Sequence, residues 1–268
     1  MRSLQQFWSM RRIGEDRVTL ARLGTLRIWL ARAEQEWAFS SEFGESKDLM
    51  DIAQVPEDVV PSHLEWTDMV FSEAPRDYAF KACALERPVV VKTDRPISIP
   101  PGQKGIFYAK FPVIVSVTLN VGKKAVDMGK ILSESLCDTW FGEVTAGEYC
   151  YALPEPASLD LESLHAQPNE VVCPIEIDNN SQDVVTLKKF CLRPDQLTIF
   201  CGNSHLWSSP VKVQCEDLFK STSVRYSTRQ PETEENLVEL VKRRKRDESG
   251  LQRLGLSSSF SGDLVLGN

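Results

Sequence analysis

The chain has 268 residues, of which 42% are hydrophobic, 26% charged and 9% aromatic, with six tryptophans. That composition excludes an intrinsically disordered chain and leaves room for one large domain or two ordinary ones around a sizeable core. A formal net charge of -7 argues against general nucleic-acid affinity, and no apolar run is long enough for a membrane-spanning helix.

Residues 1–16 are apolar and basic without a continuous hydrophobic stretch, which predicts a loosely attached lead-in and not a secretory signal. Seven cysteines, an odd number with no close pair, fit buried thiols of a reducing compartment and predict a cytoplasmic protein.

From Arg17 to Ser41 two readings stand side by side. As strands, Leu26, Ile28 and Leu30 share one face, Ala33 to Glu36 turn, and Trp37 and Phe39 return to the same core. As a helix, Leu23, Leu26, Leu30, Ala33 and Trp37 form a stripe at three- and four-residue spacing. Gly24 and the β-branched and aromatic content favour strands over residues 25–40.

The acidic interval 44–63, with Pro56 and Pro61, reads as a surface connection with room for one helical turn. Leu64 to Phe71 carries apolar residues on both alternating sets, which predicts a strand buried on both faces. Arg87 to Leu119 is the strongest β signal and predicts a meander. Pro101-Gly102 fits the centre of a type II turn, and Phe111-Pro112 predicts a bend or an edge, because proline cannot donate to a ladder.

Near the midpoint, Cys137 to Tyr151 crowds aromatics, Gly142 and Gly147 with Asp138, Glu143 and Glu148. The pattern predicts a strand, a glycine-punctuated turn and a returning strand on which Tyr149 and Tyr151 share a face.

Proline-bracketed residues 154–170 are the expected linker between an N-terminal β domain, residues 17–153, and a second β domain, residues 171–228. In the second, Cys173–Ile177, Val184–Leu192, Leu197–Cys201 and Val211–Cys215 read as short strands. Asn179-Asn180-Ser181 matches the glycosylation triplet but reads better as a turn. Pro231, the glutamates at 232, 234 and 235, and the stripe Leu237, Leu240, Val241 predict a helix over residues 229–248. Residues 249–268 read as a Ser/Gly-rich tail. The fold class expected is all-β: two packed β-sandwich-like domains with a C-terminal helix.

Arg95 to Gly102, Phe107-Tyr108, Phe111-Pro112, Thr139 to Gly142 and Gly147 to Tyr151 together resemble a prokaryotic family, the domain-of-unknown-function family four-three-two. The likeness runs over roughly Arg17 to Cys215 and rests on packing and turn residues, the kind that fix a fold. The resemblance implies no activity, cofactor or catalytic residue.

Candidate chemistry is sparse. Asp138, Glu143 and Glu148 beside Trp140, Phe141 and Tyr149 are the acid/base set of an alternative reading as a carbohydrate-active or other hydrolase, which needs two carboxylates facing one bond. Solvated turn carboxylates over packed rings are the plainer account. Cys191, Cys201, His205 and Cys215 are the weak metal candidates, since they lack a Cys-x-x-Cys knuckle. His63, His165 and His205 are scattered, and no serine elbow or phosphate-cradling glycine loop occurs. The basic run Lys242 to Arg246 reads as the C-terminal end of the expected helix, with no interleaved aromatic for base stacking.

No cofactor and no catalytic set is expected. The sequence predicts a non-catalytic binding or protein-interaction module with an unknown protein or small-molecule partner, met by Trp140, Phe141, Tyr149 and Tyr151. A structural subunit of a larger assembly is the remaining alternative.

Overall fold

Alternation of apolar and polar side chains decides the N-terminal sheet. In a computed structural model that describes residues 4–13, 17–73, 75–121, 124–142, 144–145, 147–217 and 221–244, the segment once open to a helical reading runs as antiparallel strands. These are Val18–Leu23, Leu26–Arg32 and Glu36–Phe43, flanked by Met50–Val55 and Thr67–Val70 in a five-stranded sheet. Leu26, Ile28, Leu30 and Trp37 enter the main core, as the period-2 reading requires. Val18, Leu20 and Trp29 point the other way and are covered by Leu64 and Trp66. The first hairpin turns at Gly24, held at φ 61. A Cβ there would collide with the side chain of buried Asn169, so conformation and space both call for glycine.

Three N-terminal expectations change. The segment expected as a lead-in is embedded: Leu4, Phe7 and Ile13 are buried, Phe7 stacks on Phe80 at 5.4 Å, and Arg11–Arg12 pairs with Asp77–Cys83. The strand expected over Leu64 to Phe71 is only Thr67–Val70, an edge strand with Val70 77% exposed, because Leu64 and Trp66 leave the ladder to cover the small second core. The interval 44–63 contains a strand, Met50–Val55, besides the single turn of 3-10 helix at Glu57–Val59.

Residues 89–121 form strands but not a simple meander. Val89–Ile99, Lys104–Pro112 and Ile114–Val121 follow one another in sequence and join three different sheets. Lys104–Pro112 pairs antiparallel with Glu170–Asn179, while Val89–Ile99 pairs with Val185–Leu192 and, in parallel, with Glu148–Ala152. Ile114–Val121 lies between Asp77–Cys83 and Lys124–Leu132. Pro174 sits inside the central strand Glu170–Asn179 without disrupting it. On that flank Val171 and Val172 pair with Leu206–Ser208, and Ile175 onward with Val211–Asp217, so the proline falls where the neighbour changes and no ladder donor is needed.

The Pro101-Gly102 turn forms as expected, with Gly102 at φ 70 and Gln103 N donating to Pro100 O. It is clasped by Asn179. The backbone N of Gly102 donates to Asn179 O, Asn179 N donates to Gln103 O, and Asn179 Nδ2 donates to Ile99 O and Asp183 O at 2.8 Å each. Asn179 Oδ1 accepts from Ser181 N and Oγ. The triplet Asn179-Asn180-Ser181 is therefore a structural corner in which Asn179 and Ser181 are buried and Asn180 faces outward.

One contiguous set of buried side chains, from Leu4 to Cys215, draws on all four sheets. Ladders cross the interval 154–170, and that interval is itself bonded to strands on its N-terminal side through the bridges Thr93 to Ala157 and Tyr108 to Ser158. The C-terminal helix is corrected. Within the described part of 229–248 the chain turns at Asn236, φ 59, and forms the strand Val238–Val241 against Ile199–Cys201. Edge pairing, with two valines suited to a strand, outweighs the helical spacing of Leu237, Leu240 and Val241. Glu234 accepts from Trp207 Nε1 and Asn203 N instead of serving a helix dipole. Lys242 to Arg244 thus follow a strand, and Lys245, Arg246 and the tail 249–268 lie outside the described residues. No helix among the described residues is long and apolar enough to cross a membrane.

Asn179→Ala removes two donations and two acceptances inside the core, leaving buried partners unsatisfied at about 1–3 kcal/mol each. Urea unfolding is expected to register a loss of about 3 kcal/mol with an unchanged m value. A loss below about 1 kcal/mol would show that the corner is held by backbone bonds alone.

Candidate functional site

The central stretch folds as expected into a hairpin, Cys137–Phe141 with Glu148–Ala152, whose first strand is the outer edge of a four-stranded sheet. Its register sets Trp140 opposite Tyr149, Asp138 opposite Tyr151, and Phe141 opposite Glu148. Alternation then divides the site into two faces.

On the outer face, Trp140 and Tyr149 meet edge to face, with centroids 5.2 Å apart and planes at 88°, the arrangement favoured by the ring quadrupoles. They remain 43% and 67% exposed. Gly147 lies under the indole, so close that a Cβ would strike Trp140 Nε1 and the Phe141 carbonyl. Beside the pair, the Arg87 guanidinium sits 5.2 Å from the Tyr151 ring centroid and bonds Asp138 Oδ1 at 3.0 Å. Tyr149 and Tyr151 share this face, as the spacing predicts.

The inner face carries different chemistry. Phe141, the fourth aromatic expected at the contact surface, is buried there with Val90 and Cys150, and Lys189 Nζ lies 5.9 Å from its ring centroid. Glu148 is ion-paired with Arg193. The Sγ atoms of Cys150 and Cys191 are 3.9 Å apart, and Cys191 Sγ is 3.9 Å from Glu148 Oε1. The hydrogen bond between the two thiols, in which either sulfur can donate, lowers the Cys150 thiol below the ordinary value; the same contact, followed by burial, raises Cys191.

These positions separate the residues of the hydrolase reading. Asp138 and Glu148 lie on opposite faces, each bound to its own arginine, so they do not flank one bond. Glu143 lies outside the described residues. The four metal candidates also part company. Among the described residues Cys191 gathers with Glu148 and Cys150, not with Cys201, His205 or Cys215. Cys201 and Cys215 are buried apolar groups of the seven-stranded sheet, and His205 packs edge-on against Trp207 at 6.2 Å.

A second polar site escaped the sequence reading. Lys110, with its side chain 4% exposed, reaches Glu155 at 3.0 Å, Glu170 at 3.1 Å and the carbonyl of His165 at 3.5 Å. It lines a cleft of about 190 Å³ with Glu134, Gln167 and Asn169. Burial opposes the charge on Lys110, but Glu170 and Glu155 outweigh it and hold the ammonium above the usual lysine value. Burial, reinforced by Glu170, raises the Glu134 carboxyl. The available signal was a lysine in the apolar run Phe107 to Phe111.

An all-β scaffold carrying an exposed aromatic hairpin defines the class. The chain belongs to the family described as Protein of unknown function (DUF432), whose pattern matches residues 7–260. That match extends beyond the span of the resemblance at both ends. No curated protein and no solved structure matches the chain.

Lys110→Met leaves Glu170, itself nearly buried, without its cation, and is expected to cost about 3 kcal/mol at pH 7. The folded-state value of Lys110 is raised, so its contribution is whole below the unfolded lysine value of about 10.4 and fades as pH climbs through the folded value. Unfolding of both proteins across pH checks this. The difference is expected to be constant over neutral pH and to narrow in alkali.

Proposed function

We propose that the chain is a non-catalytic binding module that receives an extended segment of a partner protein on the outer face and free edge of the hairpin Cys137–Phe141 with Glu148–Ala152. The carrying observation is the exposed Trp140–Tyr149 pair, with Trp140 on the edge strand and Tyr149 on its neighbour. Large rings with few rotatable bonds make energetic anchors, and an edge strand offers backbone donors and acceptors for strand addition. Val144 at the hairpin tip is also exposed and extends the apolar surface. Arg87 and Asp138 supply a charged rim whose polar groups fix register. All seven cysteines are free thiols, which supports a reducing, cytoplasmic setting.

Two variants test the two parts of this surface. Trp140→Ala removes an anchor, and Asp138→Pro removes a backbone donor that faces the outer side of the edge strand. Quantitative affinity capture is expected to fall at least ~10-fold for Trp140→Ala, as for an anchor worth about 2 kcal/mol or more. Its thermal midpoint should stay within about 3 °C of the parent. Cross-linking should place the captured segment along Cys137–Phe141. Unchanged capture, or a midpoint that drops by more than about 8 °C, assigns Trp140 to the fold instead.

A further inference from the structure

The inner face of the hairpin holds a second arrangement, independent of the docking surface on the outer face. We infer that Glu148, Cys150 and Cys191 form a site for a single thiophilic divalent cation of the zinc class, with Arg193 as the outer partner that orients the carboxylate.

The donor spacing fits one ion. Two thiolates bound to one zinc at ~2.3 Å and a tetrahedral angle stand about 3.8 Å apart. Cys150 and Cys191 present their sulfurs at 3.9 Å, and all three donor atoms lie within 4.8 Å of one another. The third donor, Glu148 Oε1, needs to close by only a few tenths of an ångström on Cys191 to reach the roughly 3.5 Å that sulfur and oxygen ligands of one zinc keep.

The charges also balance. Two thiolates and a carboxylate carry three negative charges, while a divalent cation and the Arg193 guanidinium return three positive ones. The bound cluster is neutral, which is the condition for placing it partly out of water. The ion pair between Arg193 and Glu148 is the outer bond that liganding carboxylates commonly make.

Cys150 and Cys191 lie on strands that flank Val89–Ile99 without pairing with each other. Cys191 is registered opposite Val90, and so is Ala152, two residues on from Cys150, so the ladder sets both thiols on one face and the side chains close the gap across the central strand. With three protein donors, a fourth coordination position falls to water or to an exogenous ligand, as in open zinc sites.

The test uses the full chain, freed of metal by chelation and kept reduced. Titration with Co²⁺ is expected to give thiolate-to-cobalt charge-transfer absorption that saturates near one equivalent and disappears on adding Zn²⁺. Cys191→Ser, at the less buried sulfur, should abolish that band while the chain stays folded, and Arg193→Gln should weaken Zn²⁺ binding about 10-fold. In the unmodified chain, Zn²⁺ should protect Cys150 and Cys191 from alkylation and leave the other five cysteines unaffected, a readout that needs no variant to fold. The inference is overturned by absence of the band, by a band that survives Cys191→Ser, or by a Cys150–Cys191 disulfide whose reduced form takes up no Co²⁺. Each of these outcomes leaves the outer-face reading standing, because Trp140 and Asp138 play no part in them.

Discussion

The ladder between Lys104–Pro112 and Glu170–Asn179 is the constraint on which the rest of the structure depends. Its register runs from Lys104 opposite Asp178 to Pro112 opposite Glu170. Along it, Phe107, Ala109 and Phe111 meet Val171, Cys173, Ile175 and Ile177 on the core side. Fully burying each large side chain contributes about 1.5–3 kcal/mol, so this one pairing outweighs any local turn. Because its strands come from opposite ends of a long intervening stretch, loop closure must precede the reward. The Asn179 corner then ties the end of Val89–Ile99 to the same ladder, and the bridge from Ser158 to Tyr108 lays the 154–170 interval over its outer side.

The outward face of the ladder fixes its register. Lys104 bonds Asp178 and Glu176, and Lys110 bonds Glu170. A slip of one residue would send Lys110 into the core and Phe107 and Phe111 outward, reversing every side chain at once. Buried ion pairs add little net stability over an apolar pair of equal volume, but a wrong register leaves them unpaired at a cost of several kcal/mol. Lys110 is accordingly read as a specifier of alignment, which explains a lysine held almost out of water among carboxylates.

Periodicity in the sequence disclosed which residues are strands, and little about which strands meet. Leu26, Ile28 and Leu30 announce their common face because side-chain direction is local. That Val89–Ile99 bypasses its sequence neighbour for Val185–Leu192 depends on distant partners and leaves no local trace. The aromatic hairpin was legible for the first reason: Trp140 and Tyr149 are brought opposite by a short turn. The association of Cys191 with Cys150 was not, and sequence proximity suggested the wrong companions in Cys201 and Cys215. Residues 229–244 misled differently. Their acidic start and three- and four-residue spacing suit a helix, but the open edge at Ile199–Cys201 offers hydrogen bonds that an isolated short helix would have to forgo.

The hairpin joins two chemistries through the alternation of one strand. Glu148 and Cys150 face inward while Tyr149 and Tyr151 face outward, so whatever holds the first pair sets the pose of the second. The backbone tether is slight: the returning strand pairs with Val89–Ile99 only at Tyr151 and Ala152. Phe141, Val90 and Cys150 form a plug at its base, and ties to Val185–Leu192 and its flank include the sulfur contact, the Glu148–Arg193 ion pair and Lys189 over the Phe141 ring. The inner cluster therefore joins the ladder in holding the outer rings. A surface held in place before contact loses less conformational freedom when it engages a partner, and under the proposed docking that preorganisation would come from the side of the strand turned away from the rings.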